Sequence, residues 1–98
     1  MNTPDFIVLH DDDTVATALR DVEAATAVQL AGPRGPLPER TLPASIRLGH
    51  KIALQPIAEG ALIIKHGHPI GRATAPIAVG EHVHVQNVVS LSRVTGDG

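Results

Sequence analysis

A mainly β fold, compact and sharply bent, with one short helix, is what the sequence predicts, and three features predict it. Short apolar segments are cut by glycine and proline at close intervals, which suits strands joined by tight corners better than βαβ crossovers. The chain has 98 residues, enough for one core and not two, so residues 1–98 are expected to form a single domain. Pro56-Ile57-Ala58-Glu59-Gly60 and Pro76-Ile77-Ala78-Val79-Gly80 repeat a Pro-Ile-Ala-x-Gly pattern twenty residues apart and read as matching corners.

The elements follow in order. Phe6-Ile7-Val8-Leu9 reads as a strand, and His10-Asp11-Asp12-Asp13 breaks it. Val15, Ala18, Leu19 and Val22 fall at helical spacing, which predicts the helix over 14–22. Asp13 or Thr14 would cap it, and the acidic triplet would sit at the positive end of its dipole; cation binding is the other reading of the triplet. Ala27-Val28-Gln29-Leu30 is a second strand. Residues 32–38 hold three prolines and two glycines, which predicts a loop, read either as plain surface or as a flap carrying Arg34 near a ligand. Ile46 to Leu48, Lys51 to Leu54 and Leu62 to Lys65 are apolar segments, the last a strong strand. His66-Gly67-His68-Pro69 is a tight turn, with Ile70 to Thr74 as its hairpin partner. His82-Val83-His84-Val85 is the last strong strand, and residues 94–98 are expected to be a flexible tail.

Composition narrows the function. Hydrophobic residues make up 43% of the chain, but with one Phe and no Trp or Tyr the core must be aliphatic and short of reserve stability. Burial against a partner, or a homo-oligomer, would help. Without cysteine, disulfides and thiolate metal sites are excluded. Residues 1–31 carry six acids against one Arg20, whereas residues 33–72 carry six cations against Glu39 and Glu59. The asymmetry reads either as scattered surface charge or as a basic face toward a carboxylate substrate or acidic partner. Nucleic acid is not expected, because no aromatic stacking platform exists. Nor is a membrane, because no apolar run approaches the roughly 18 residues a span needs. The first residues lack the basic start and apolar run of a signal peptide, so a cytoplasmic location is expected.

Five of the six histidines lie between residues 50 and 84. His82 and His84, two apart on a strand, would project from one face, where imidazoles can share a metal or a carboxylate; Val83 and Val85 would then face the core. The alternative is an exposed polar strand face. Glu81, Gln86 and Asn87 add oxygen-bearing groups. In Gly49-His50-Lys51 a proton carrier stands beside a cation that favours the neutral imidazole, and Lys65 ends an apolar strand within reach of an anion. An ordinary turn and a solvated hairpin are the alternatives there. No nucleophile elbow, phosphate loop or dinucleotide fingerprint occurs.

Gly49-His50-Lys51-Ile52-Ala53-Leu54, Gly60, Ile63-Ile64-Lys65-His66-Gly67, Ile70-Gly71-Arg72-Ala73-Thr74 and Gly80-Glu81-His82-Val83-His84-Val85-Gln86-Asn87 run in one order. Together with the segment from His10 to Asp21, that series resembles the N-terminal SAF domain of the altronate/galactarate dehydratase family over roughly residues 5 to 93. The resemblance implies a β-clip fold. It implies elimination of water from a sugar acid such as altronate or galactarate, or a related acid such as sulfolactate, giving a 2-keto-3-deoxy product. It implies a divalent metal, iron or manganese, held by or shared with a large dehydratase subunit. Some members carry the domain fused to that larger part and others as a separate small subunit; a chain stopping near Gly98 is similar to the separate form. Within this frame His50 and Lys51 are expected to be catalytic, Lys65, Arg72 and Asn87 to bind substrate, and His82 and His84 to ligate metal. Gln86 and His66 depart from the family's usual histidine and tyrosine at those positions. A carbohydrate-binding module without chemistry and a purely structural subunit are the rival readings.

Overall fold

The computed structural model describes residues 3–91. Among the described residues nine strands build two sheets: β1 (Phe6–Ile7), β2 (Val15–Ala18), β3 (Ala27–Gly32), β4 (Gly35–Thr41), β5 (Lys51–Ala53), β6 (Leu62–Lys65), β7 (His68–Ala73), β8 (His82–Val83) and β9 (Val88–Ser90). The larger sheet runs β4-β3-β1-β2-β5-β8 and the smaller β6-β7-β9. Only the β1–β3 contact is parallel among the paired strands of the described residues. The expected tail at 94–98 lies outside the described residues.

Four corners organise the bends, two more than the Pro-Ile-Ala repeat indicated. Val22 and Ile46 exchange both backbone hydrogen bonds, at 2.8 and 2.9 Å, and Ile57 and Ile77 do the same at 2.8 Å. Three positions after each of these bridge residues the backbone turns to positive φ: 63° at Ala25, 85° at Gly49, 86° at Gly60 and 81° at Gly80. Each of these residues donates its N–H to a neighbouring segment, Ala25 to the Leu42 carbonyl, Gly49 to Ala18, Gly60 to Ala73 and Gly80 to Ala53. Side chains suffer in this conformation and glycine does not, which explains three of the four residues. The first two corners carried no Pro-Ile-Ala pattern to mark them.

Residues 14–22 form a strand and a corner, not the expected helix. Val15, Ala16 and Ala18 are all buried because β2 is an interior strand with a core cluster on each face, Val15 in one and Ala16 and Ala18 in the other. A strand buried on both sides loses its two-residue alternation, and what remains mimics helical spacing. Asp13 caps no helix. Its carboxylate instead accepts N–H groups from Leu9 and His10 at 3.2 and 3.1 Å and from Gly67 at 2.8 Å, tying the 9–13 turn to the β6–β7 hairpin. Asp11 pairs with Arg34 at 2.8 Å.

The 32–38 segment is not a loop. Gly32 pairs with Gly35 around a two-residue Pro33-Arg34 turn, and Pro36, Leu37 and Pro38 belong to β4. Prolines are tolerated there because β4 is an edge strand, whose outer N–H positions need no ladder partner.

Two hydrophobic clusters fill the interior of the described residues. Phe6, Val28, Leu30, Leu42, Ile46 and Ile52 anchor the first; Val15, Ala53, Ile57, Ile63, Ile77 and Val83 anchor the second. Strand β5 separates them, with Ile52 facing the first and Ala53 the second.

Candidate functional site

The β5–β8 ladder pairs Ile52 with His82 and Lys51 with Val83. One step further along the same antiparallel register brings His50 opposite His84. The three imidazoles therefore meet on the β5–β8 edge, delivered by the corner that ends at Gly49 and by the corner that ends at Gly80. Their ring centroids are 4.4 Å apart for His50 and His84, 5.1 Å for His50 and His82, and 5.2 Å for His82 and His84, all in stacked orientation. His50 Nδ1 lies 2.9 Å from His82 Nε2. One ring nitrogen from each of the three lies within 4.8 Å of the others, and all three residues are half-buried.

The surrounding loop holds this arrangement. After Val83 the chain leaves the ladder and turns, with the Asn87 N–H donating to the His84 carbonyl at 3.0 Å. Asn87 is buried, and its side chain serves the turn: Oδ1 accepts from the His84 N–H at 2.9 Å, and Nδ2 donates to the His82 carbonyl at 2.8 Å. Gln86 Nε2 reaches His82 Nδ1 at 3.3 Å, so Gln86 also touches the cluster. Because the strand ends at Val83, Val85 does not face the core as its alternation predicted. It is 81% exposed at the turn's tip.

Burial, and then the neighbouring His50, His84 and Lys51, hold His82 below the ordinary histidine range. The cluster thus favours a neutral His82 at neutral pH, the form that can ligate a metal.

Lys51 follows a different course. Alternation along β5 turns it away from His50 and toward the side of Val83 and the second core. There it lines a cleft of about 260 Å³ with His84, over a floor of Ile63, Ile70, Val83 and Val88. Burial, and then the charge of Lys65, lower its amine below the ordinary lysine range. The other two expected substrate contacts lie elsewhere or are engaged: Arg72 is exposed and donates from Nη1 to the Gly60 carbonyl at 2.7 Å, and Asn87 braces the histidine turn. The structure thus gathers His50, His82 and His84 tightly and places Lys51 behind them with His84 as the shared wall. That His50 belongs with the other two imidazoles was not legible locally; only the ladder register shows it.

The larger hollow beside Pro4, Gln29 and Leu37 carries no comparable chemistry. Among the described residues no helix is long and apolar enough to cross a membrane.

A family model described as the altronate/galactarate dehydratase SAF domain matches residues 4–91. The chain is 42% identical over 82 residues to altronate dehydratase of Bacillus subtilis (strain 168), covering 84% of this chain and 16% of that protein. It is 44% identical over 82 residues to altronate dehydratase of Escherichia coli (strain K12), again with 84% and 16% covered. It is also 38% identical over 88 residues to (2R)-sulfolactate sulfo-lyase subunit alpha of Chromohalobacter salexigens, covering 86% of this chain and 92% of that subunit. The chain therefore spans about one sixth of the altronate dehydratases and nearly all of the sulfo-lyase subunit.

Proposed function

Because the chain belongs to the altronate/galactarate dehydratase SAF-domain family, we propose that it is the small component of a hydro-lyase acting on a sugar acid or a related 2-hydroxy acid. A large dehydratase subunit supplies the rest of the active site. The observation that carries this reading is the convergence of His50, His82 and His84. The resemblance to a protein named as a subunit supports the two-component arrangement, and the altronate dehydratases support the substrate class.

Elimination of water next to a carboxylate has three requirements. A base takes the proton α to the carboxylate, the dianionic enolate must be stabilised, and hydroxide must be helped to leave. A divalent metal supplies charge to the enolate and to the departing oxygen. The three imidazoles fit such an ion. Two nitrogens on one ion stand at most about 4.2 Å apart at ordinary metal–nitrogen lengths, and a separation of up to 4.8 Å closes to that by small side-chain rotations. We assign His50, His82 and His84 together as this chain's ligands for iron or manganese. Asn87 and Gln86 orient them, as ligand-supporting groups do elsewhere. The proton-abstracting base then comes from the large subunit.

Reconstitution tests the reading. The purified chain, mixed with a large dehydratase subunit, should raise the rate at which altronate yields its 2-keto-3-deoxy acid, and His82→Ala should not. Equal rates from the large subunit alone would remove the catalytic role.

A further inference from the structure

The cleft on the second-core side of β5 is chemically unlike the imidazole cluster. Its floor is aliphatic, formed by Ile63, Ile70, Val83 and Val88, and its polar wall carries Lys51, His84 and Ser90. Lys51 is half-buried there, and the positive charge of Lys65, at the end of β6, bears on it. The ion pairs of the described residues are His10 with Asp12, Arg20 with Asp5 and Arg34 with Asp11, so no described carboxylate answers these two lysines. A half-buried cation beside an apolar floor, with further positive charge bearing on it, is unfavourable until an anion joins it.

We infer that this cleft is a carboxylate-receiving subsite, in which Lys51, assisted by Lys65, holds the acid end of a small hydroxy acid against His84. This inference rests on the reading of the imidazoles as the reactive centre, because His84 belongs to both. About 260 Å³ is below the size of most whole-ligand pockets, which suits one end of a small acid and not a complete six-carbon substrate. The remainder of the molecule then passes His84 toward the imidazoles. The charge of Lys51 favours a carboxylate over the uncharged hydroxyl groups of the polyhydroxy end.

The test uses the isotope-labelled full chain free of metal, titrated with D-glycerate as the smallest 2,3-dihydroxy acid and followed by the amide resonances of Lys51, Val83 and His84. Glycerate should shift these resonances saturably, and glycerol should not. An N-acetylglutamate amide, standing for a carboxylate on a partner protein, should bind more weakly than glycerate. Lys51→Gln should weaken glycerate binding about tenfold or more, Lys51→Arg should retain most of it, and Lys65→Gln should cause a smaller loss. No saturable shift with glycerate, tighter binding of the glutamate derivative, or unchanged affinity in both lysine-to-glutamine variants would overturn the inference. Metal titration of the same samples separates the two readings. Lost metal binding with retained glycerate binding defeats the imidazole assignment alone, and the reverse defeats the cleft alone.

Discussion

His50 Nδ1 stands 2.9 Å from His82 Nε2 although 32 positions separate them in the chain. The contact follows from register: with Lys51 opposite Val83 and Ile52 opposite His82, the residue before Lys51 falls diagonally beside His82 on the same face. His82 answers first to this proximity. Burial, then His50, His84 and Lys51, depress its pKa, so in the metal-free protein it should titrate below the ordinary value of 6.5. Because its folded pKa is depressed, protonation opposes folding, and stability from this group is lost as pH falls below its ordinary range. Histidine ring resonances followed against pH check the order, and His50→Ala should move the His82 midpoint upward. A His82 midpoint at or above the ordinary value would contradict it.

Asp13 governs a second pH dependence. Burial alone would raise its pKa, but N–H groups of Gly67, His66, Leu9 and His10 outweigh that and lower it. The folded value lies below the ordinary 3.8, so the stabilisation is present above that pH and is lost as pH falls through the folded pKa. Asp13→Asn should cost about 1.5–3 kcal/mol at neutral pH, as loss of hydrogen bonds to a charged group does. Urea unfolding at pH 7 and pH 3 measures both effects: the variant should show a smaller loss on acidification than the wild type.

The corners offer a paired test of backbone strain. Ala25 holds φ at 63° where the other three corners use glycine. Ala25→Gly should stabilise the protein by up to about 1 kcal/mol, and Gly60→Ala should destabilise it by about the same amount. At Gly60 a Cβ would stand in open space, so its substitution reports conformational strain without a clash. Thermal unfolding of the two variants should shift Tm in opposite directions.

Gly71 serves a different need. A Cβ there would come within 2.5 Å of a Val88 methyl and 2.8 Å of the Val89 carbonyl oxygen, so β7 and β9 must approach over glycine. Gly71→Ala should destabilise by about 1–3 kcal/mol and loosen β9, which directly follows the histidine-bearing turn. Amide exchange at Val88 to Ser90 should accelerate in the variant.

Much of this architecture was legible in the sequence, and the failures share one cause. Strand β6, the His66-Gly67 turn and the Ile57 and Ile77 corners announce themselves by glycine, proline and β-branched residues at local spacing. Val15 to Ala18 does not, because burial on both faces comes from the two core clusters on either side of β2 and not from its own pattern. Pro36 and Pro38 read as loop until the edge position of β4 is known. The candidate site divides in the same way. His82 and His84 share a face by local spacing alone. Their union with His50, the diversion of Lys51 to the opposite side and the exposure of Val85 all depend on where β8 pairs and where it stops.

The proposed chemistry stands or falls on His50, His82 and His84 acting as one ligand set. Titration of the metal-free chain with Mn²⁺ or Fe²⁺ by calorimetry, beside His50→Ala, His82→Ala and His84→Ala, decides it. One equivalent should bind the wild type, and each substitution should weaken binding by about tenfold or more, since even a group supporting a ligand contributes that much. No binding by the wild type, or wild-type affinity in all three variants, would contradict it.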